Sequence, residues 1–216
     1  MPPNEDDSDP RTVVYNGVAV PTTAPEEGRD YRSEFEAGTS GELRREVRRG
    51  DDVVVVGGGR GITTVVGARM TRSDGSVTTF EANSEMLETL RRTVRVNRVA
   101  NHVTLEHAAV GPISEQAESV FGPGDGERVA PSALPSCDVL ELDCEGSEVA
   151  VLEGMNCRPR VVIVETHEPL GVPPGDVAPI LEARGYEITN RTPAGMHGEL
   201  TVLTAVRQQG GSGSTP

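Results

Sequence analysis

The sequence predicts a three-layer α/β fold: a mainly parallel seven-stranded sheet, helices on both faces, and a final strand running antiparallel. Three observations carry this. Short β-branched runs alternate with longer helical stretches, the pattern of strand–helix units that build a parallel sheet. A glycine cluster, Gly57-Gly58-Gly59-Arg60-Gly61, follows directly on the run DVVVV. The last two apolar runs are joined by a short Pro/Gly segment with no helical pattern, which suits an antiparallel pair at a sheet edge.

Each element follows from local pattern. Thr12 to Val20 (TVVYNGVAV) is expected to form a strand pair turning at Asn16–Gly17, because both residues tolerate positive φ. Ser40 to Arg49 reads as a helix capped by Ser40, with Gly50 just past its end. Strands are then expected at 52–56, 76–81, 102–107, 138–143 and 160–165, with helices at 62–70, 84–97, near 147–153 and at 176–184. Runs at 186–190 and 200–206 complete the sheet. Residues 112–135, rich in Gly and Pro, read as a loop over the rim of the site. Residues 11–207 read as one domain, an N-terminal extension (11–50) preceding a core (51–207). The acidic, proline-bearing segment 1–10 is expected to be disordered, and 208–216 to be a flexible tail.

A chain of 216 residues suits a single domain able to bury a real core. It carries 20 basic against 34 acidic residues, a formal charge of −14, and every basic residue is arginine. An acidic, lysine-free surface fits a halophilic protein kept soluble at high salt by its charge, so stability is expected to hold or rise toward molar salt. The same charge disfavours nucleic acid as a partner. Cys137, Cys144 and Cys157 form no C-x-x-C pair, and free thiols in a cytoplasmic protein are expected. Neither a signal peptide nor a membrane-spanning run is read.

The glycine cluster narrows the ligand. Glycines let the chain turn tightly and admit a cofactor against the backbone, and the helix that follows offers free N–H groups to a ligand carboxylate. The dinucleotide fingerprint G-x-G-x-x-G fails in both registers, at Ile62 from Gly57 and at Arg60 from Gly58. G-x-G-x-G is met by Gly57, Gly59 and Gly61. At the end of the second core strand stands Glu81, placed to accept hydrogen bonds from both hydroxyls of a ribose. This combination points to S-adenosylmethionine, with Gly57, Gly58, Gly59, Gly61, Glu81, Ala82, Ala109 and Asp143 as its contacts.

Ligands of open parallel sheets sit beyond the carboxyl ends of the strands. The fourth core strand ends Asp143-Cys144-Glu145-Gly146 and the fifth Glu165-Thr166-His167. Catalysis is assigned to His167, as the base for an acceptor hydroxyl, with Asp143 and Glu145. No residue is assigned to a metal, although Asp143, Glu145, Glu165 and His167 would suit Mg²⁺ or Mn²⁺ if they converge.

From about Tyr31 to Val206 the chain resembles the FkbM-type family of S-adenosylmethionine-dependent methyltransferases, and its strand pattern resembles the class I methyltransferase (Rossmann-like) fold. The resemblance is carried by GDDVVVVGGGRG, FEANSEMLETLRRTVRVN, VTLEHAAVG, LELDCEGSEVAVLEGM and VIVETHEPLG. The family's Asp-x-Glu-Gly-x-Glu pattern is met at Asp143, Glu145, Gly146 and Glu148. The resemblance implies an O-methyltransferase acting on a sugar or small-molecule hydroxyl. Two departures stand out: Val55 where the family has aspartate, and Glu141 where it has lysine. The first removes an acid that helps orient the methionine end of the cofactor, which leaves a cofactor-binding protein without activity as the second reading. A nucleotide-dependent oxidoreductase and a nucleic-acid methyltransferase are the remaining alternatives.

Overall fold

The computed structural model describes residues 11–22, 31–113, 115–194 and 200–208. The expected disordered segment 1–10 lies outside them, as does the expected tail beyond Gln208. Strands β1 (Arg11–Tyr15), β2 (Val18–Thr22) and β3 (Tyr31–Arg32) make a small sheet in the order β2-β1-β3. The turn falls at Asn16 and Gly17, at φ 48° and 80°, so the local turn chemistry decided this hairpin. Asn97 anchors it to the core, accepting from the Ala19 N–H and donating to the Ala19 carbonyl.

The core runs α1 (Ala37–Glu46), β4 (Asp52–Val56), α2 (Ile62–Thr71), β5 (Ser76–Glu81), α3 (Ser84–Val96) and β6 (Val103–Val110). It continues with α4 (Glu115–Phe121), β7 (Glu127–Val129), β8 (Val139–Leu142), α5 (Glu148–Gly154), β9 (Val161–Thr166), α6 (Pro174–Ala183), β10 (Tyr186–Ala194) and β11 (Leu200–Arg207). These form an eight-stranded sheet ordered β10-β11-β9-β8-β4-β5-β6-β7. All neighbours pair in parallel except β11, which is antiparallel to β9 and β10. The chain reverses its direction of growth between β4 and β8, and that is where the parallel sheet opens a crevice at its carboxyl edge.

Strand alternation divides the interior in two. Val53, Val55, Val161 and Ile163 pack with Leu43, Ile62 and Leu90 on one face, while Val54, Val56, Leu140 and Leu142 pack with Leu152 and Leu181 on the other. Strands buried on both faces explain why the sequence shows continuous rather than alternating apolar runs.

Three expectations need correction. Helix α1 begins at Ala37, not after Ser40, which is fully buried within it; Glu36, in the left-handed conformation at φ 52°, starts the helix. The third core strand runs on to Val110. Finally, the segment read as a rim loop holds α4 and β7, and β7 adds an eighth strand by pairing with Ala108–Val110. Pro and Gly density outweighed two short elements that tertiary pairing supports.

Candidate active site

The glycines after β4 do two different jobs. Gly57, at φ 93°, sits where an added Cβ would lie 1.8 Å from the Asp143 carbonyl oxygen, so β4 and β8 approach too closely for a side chain. A Cβ on Gly58 would lie 2.6 Å from Thr79 Cγ2, and one on Gly61 2.6 Å from Leu90 Cδ1. Gly59 differs: at φ 48° it faces open space, with no atom within 4 Å of its would-be Cβ. Its N–H donates to Glu81 Oε2 at 2.8 Å, and the Asn83 N–H donates to Oε1 at 2.8 Å. Glu81 is 7% exposed. Burial pushes its carboxyl above the ordinary range, and the backbone donors of Asn83 and Gly59 hold it partly back.

These groups border a cavity of about 860 Å³ at the carboxyl edge of the sheet. Of the residues assigned to the cofactor, Gly57, Gly59, Glu81, Ala82, Ala109 and Asp143 line it; Gly58 and Gly61 pack behind. Glu145, Glu165 and His167 line the opposite part. Arg60 is the one arginine on the wall among the described residues. Its guanidinium lies 5.8 Å from the ring centres of both Tyr15 and Phe35 and donates to the Tyr15 hydroxyl at 3.1 Å. The N-terminal extension thus supports the cofactor loop.

The start of α2 is less open than the sequence implied, because Glu36 accepts the Thr63 N–H. Burial pushes the Glu36 carboxyl well above the ordinary range, and Asp143 and Glu165 add to this.

At the acid end, His167 is 4% exposed and gripped by three carboxylates. Its Nδ1 lies 2.7 Å from Glu148 Oε1; its Nε2 lies 3.3 Å from Asp143 Oδ1 and 3.0 Å from Glu145 Oε2. Burial pulls its pKa down, but the hydrogen bonds with Asp143 and Glu148 and the nearby charges outweigh this and hold it up at about 11. The expectation of a free histidine base therefore changes: both ring nitrogens face acids, and the ring stands as an imidazolium. Glu145 and Glu165 are each pushed up to about 8, first by burial and then by Asp143. Thr39 Oγ1 donates to Glu165 Oε2 at 3.0 Å, which ties α1 to the site.

The two departures from the family pattern are cross-strand partners: Val55 in β4 is in register with Glu141 in β8. Glu141 is 0% exposed and neither carboxyl oxygen has a hydrogen-bond partner. Burial drives its pKa well up, with further contributions from Asp143, Glu36 and Glu165. A buried carboxyl without partners is costly, so Glu141→Leu is expected to stabilise the protein by about 1–3 kcal/mol. Urea unfolding reads this as a higher midpoint at unchanged m; a lower midpoint would show that the carboxyl is a net contributor.

The residue-by-residue reading missed Glu36, Glu148 and Arg60. Glu148 was visible in the Asp-x-Glu-Gly-x-Glu segment without an assigned role, whereas Glu36 gave no local signal because a distant helix start brings it in. Among the described residues no helix is long and apolar enough to cross a membrane.

With this geometry in view, comparison with known proteins is informative. Residues 125–188 match the Methyltransferase FkbM domain, the segment that contains Asp143, Glu145, Glu148, Glu165 and His167. No curated protein matches the chain. Among solved structures, precorrin-6y C5,15-methyltransferase from Geobacter metallireducens is similar at TM-score 0.54 and 16% identity, over 80% of this chain and 88% of that one. A SAM-dependent O-methyltransferase from Thermotoga maritima is similar at TM-score 0.54 and 13% identity, over 82% and 68%. Aeropyrum pernix fibrillarin, solved with natively bound S-adenosyl-L-methionine, is similar at TM-score 0.52 and 14% identity, over 94% and 85%. At such identities these likenesses speak to fold alone. The chain has the Rossmann-like fold of the class I S-adenosylmethionine-dependent methyltransferases, and its residues 125–188 are similar to the FkbM methyltransferase domain.

Proposed function

We propose that the protein is an S-adenosylmethionine-dependent O-methyltransferase acting on a hydroxyl of a small molecule or sugar. The observation that carries this is one continuous cavity bordered by Gly59 and Glu81 at one end and by Asp143 and Glu145 at the other. Its glycine floor fits a cofactor pressed against backbone: a Cβ at Gly59 would project into that open space. Glu81 would hold the ribose, Ala82 and Ala109 would border the adenine, and Asp143 would favour the positive sulfonium.

When bound, the cofactor supplies a methyl carbon that moves from sulfur to the acceptor oxygen, the C–S electron pair staying on sulfur while the hydroxyl proton goes to the protein. Glu145 is the acceptor of that proton on geometric grounds. It lines the cavity and its side chain is 29% exposed, with one oxygen 3.0 Å from His167 Nε2. His167 and Glu148 position it. Positioning is the main contribution a protein makes to such an in-line displacement. The acid-rich wall and the charge of −14 favour neutral acceptors over phosphate-bearing ones.

Calorimetry with S-adenosylhomocysteine, followed by transfer of labelled methyl to a panel of hydroxylated small molecules, tests this reading. Saturable binding with product lost in Glu145→Gln supports it; absence of binding sinks it. Binding without transfer to any acceptor favours the silent, cofactor-binding alternative that Val55 suggests. The wall's arginine adds a sharper expectation. Arg60→Gln should weaken S-adenosylhomocysteine at least about tenfold, by losing a charged hydrogen bond to the carboxylate. Methylthioadenosine, which lacks that carboxylate, should bind unchanged; equal losses would make Arg60 purely structural.

A further inference from the structure

We infer that the acid end of the cavity is a divalent-cation site with Asp143, Glu165 and His167 as its protein ligands. What the ion would meet there, an acceptor oxygen, rests on the O-methyltransferase reading; the site itself does not.

Convergence comes first. One ligand atom from each of the three residues lies within 4.8 Å of the others. They come from the carboxyl ends of adjacent parallel strands β8 and β9, and Glu165 and His167, two apart, share a face. A cation with metal–oxygen bonds of about 2.1 Å can draw such a set together by small side-chain movements.

The histidine is already oriented. Glu148, 0% exposed, holds Nδ1 at 2.7 Å, which leaves Nε2 directed at Asp143 and Glu145. A buried carboxylate fixing the distal nitrogen is the usual support for a metal-bound histidine, since it sets both the tautomer and the ring plane; the cation would displace the Nε2 proton that the metal-free ring carries.

A second observation is the gathering of buried carboxyl groups beside these ligands. Glu141 is 0% exposed, lies two residues before Asp143 in the chain, and offers two oxygens with no partner. Asp143 Oδ1 and Glu145 Oε2 are likewise buried and share the single Nε2 of His167, at 3.3 and 3.0 Å. Three carboxyl groups, of Asp143, Glu145 and Glu148, converge on a single imidazole, and Glu165 lines the same wall. An excess of carboxyls over cationic groups in a buried wall can be met by a bound metal ion. Two carboxylates, one imidazole and room for water or an acceptor oxygen suit Mn²⁺ or Mg²⁺.

The test uses the full chain, stripped with chelator and titrated with Mn²⁺ under electron paramagnetic resonance. The expected result is one Mn²⁺ per chain bound well ahead of the surface acids, with spin-echo modulation from a directly bound nitrogen. Glu165→Gln should weaken this binding at least about tenfold, and His167→Gln should also abolish the nitrogen modulation. The surface control Glu88→Gln should change neither. Thermal unfolding of each variant without metal establishes that it is folded; if His167→Gln is not, Glu165→Gln and the wild-type nitrogen signal carry the test. Weak binding at several sites, unaltered by these variants and without nitrogen coupling, overturns the proposal. S-Adenosylhomocysteine calorimetry on the same samples separates the two readings. Mn²⁺ binding without cofactor binding retains the metal site and removes the methyltransferase reading, and the reverse outcome does the opposite.

Discussion

Gly57→Ala is expected to destabilise the protein by about 3 kcal/mol or more and to abolish measurable binding of S-adenosylhomocysteine. Two penalties combine. At φ 93° any side chain is strained, costing roughly 1–2 kcal/mol. The new methyl would also sit 1.8 Å from the Asp143 carbonyl oxygen, about half a normal contact, so β4 and β8 must part. That parting displaces the backbone of Asp143 at the meeting point of the cofactor and acid ends. Gly59→Ala is the control: its methyl meets no atom within 4 Å, so it should cost only about 1 kcal/mol of stability while still obstructing the ligand. Denaturant unfolding paired with calorimetry separates the two variants. A Gly57→Ala protein with wild-type stability and affinity would contradict the packing described for the strand crossing.

The second large effect is expected at Glu81. Replacing it with alanine frees the Gly59 and Asn83 N–H groups that now bind its oxygens and, on the proposed function, removes the acceptor for both ribose hydroxyls. Hydrogen bonds to a charged group contribute about 1.5–3 kcal/mol each, so affinity should fall about 100-fold or more. Glu81→Gln keeps one acceptor and should lose about tenfold. Because the ribose is common to both, S-adenosylhomocysteine and methylthioadenosine should weaken in parallel. This contrasts with Arg60→Gln, where only the first is affected. Folding should change little, since deleting a buried carboxyl relieves a desolvation cost that offsets the lost bonds. If both ligands bind Glu81→Ala as they bind the wild type, the ribose assignment is wrong.

Most of the scaffold was readable because its signals are local and agree with one another. Asn16–Gly17 specifies its own turn; DVVVV and RVVIVE are too β-branched and too apolar for anything but buried strands; and the spacing from Gly61 to Glu81 is one helix plus one strand. What escaped depended on distant partners. Ser40 has every local attribute of a helix cap, yet α1 starts three residues earlier. There, Thr39 reaches Glu165 and Glu36 reaches Thr63, contacts that no window of sequence contains. Residues 127–129 look like loop until Ala108–Val110 offers them a parallel edge. His167 lines the cavity, but its ionisation depends on Asp143 and Glu148, partners that residue type alone does not reveal.

The pairing of Val55 with Glu141 bears on how such a sequence can be altered. A chain with the family's aspartate at 55 and lysine at 141 would hold opposite charges in register across β4 and β8. Changing only one of them strands the other charge in a dry layer, at about 3–5 kcal/mol. Substitutions at the two positions are therefore expected to be non-additive in stability. Val55→Asp alone would set two acids against each other in register, whereas Val55→Asp with Glu141→Lys in the same molecule would pair opposite charges there.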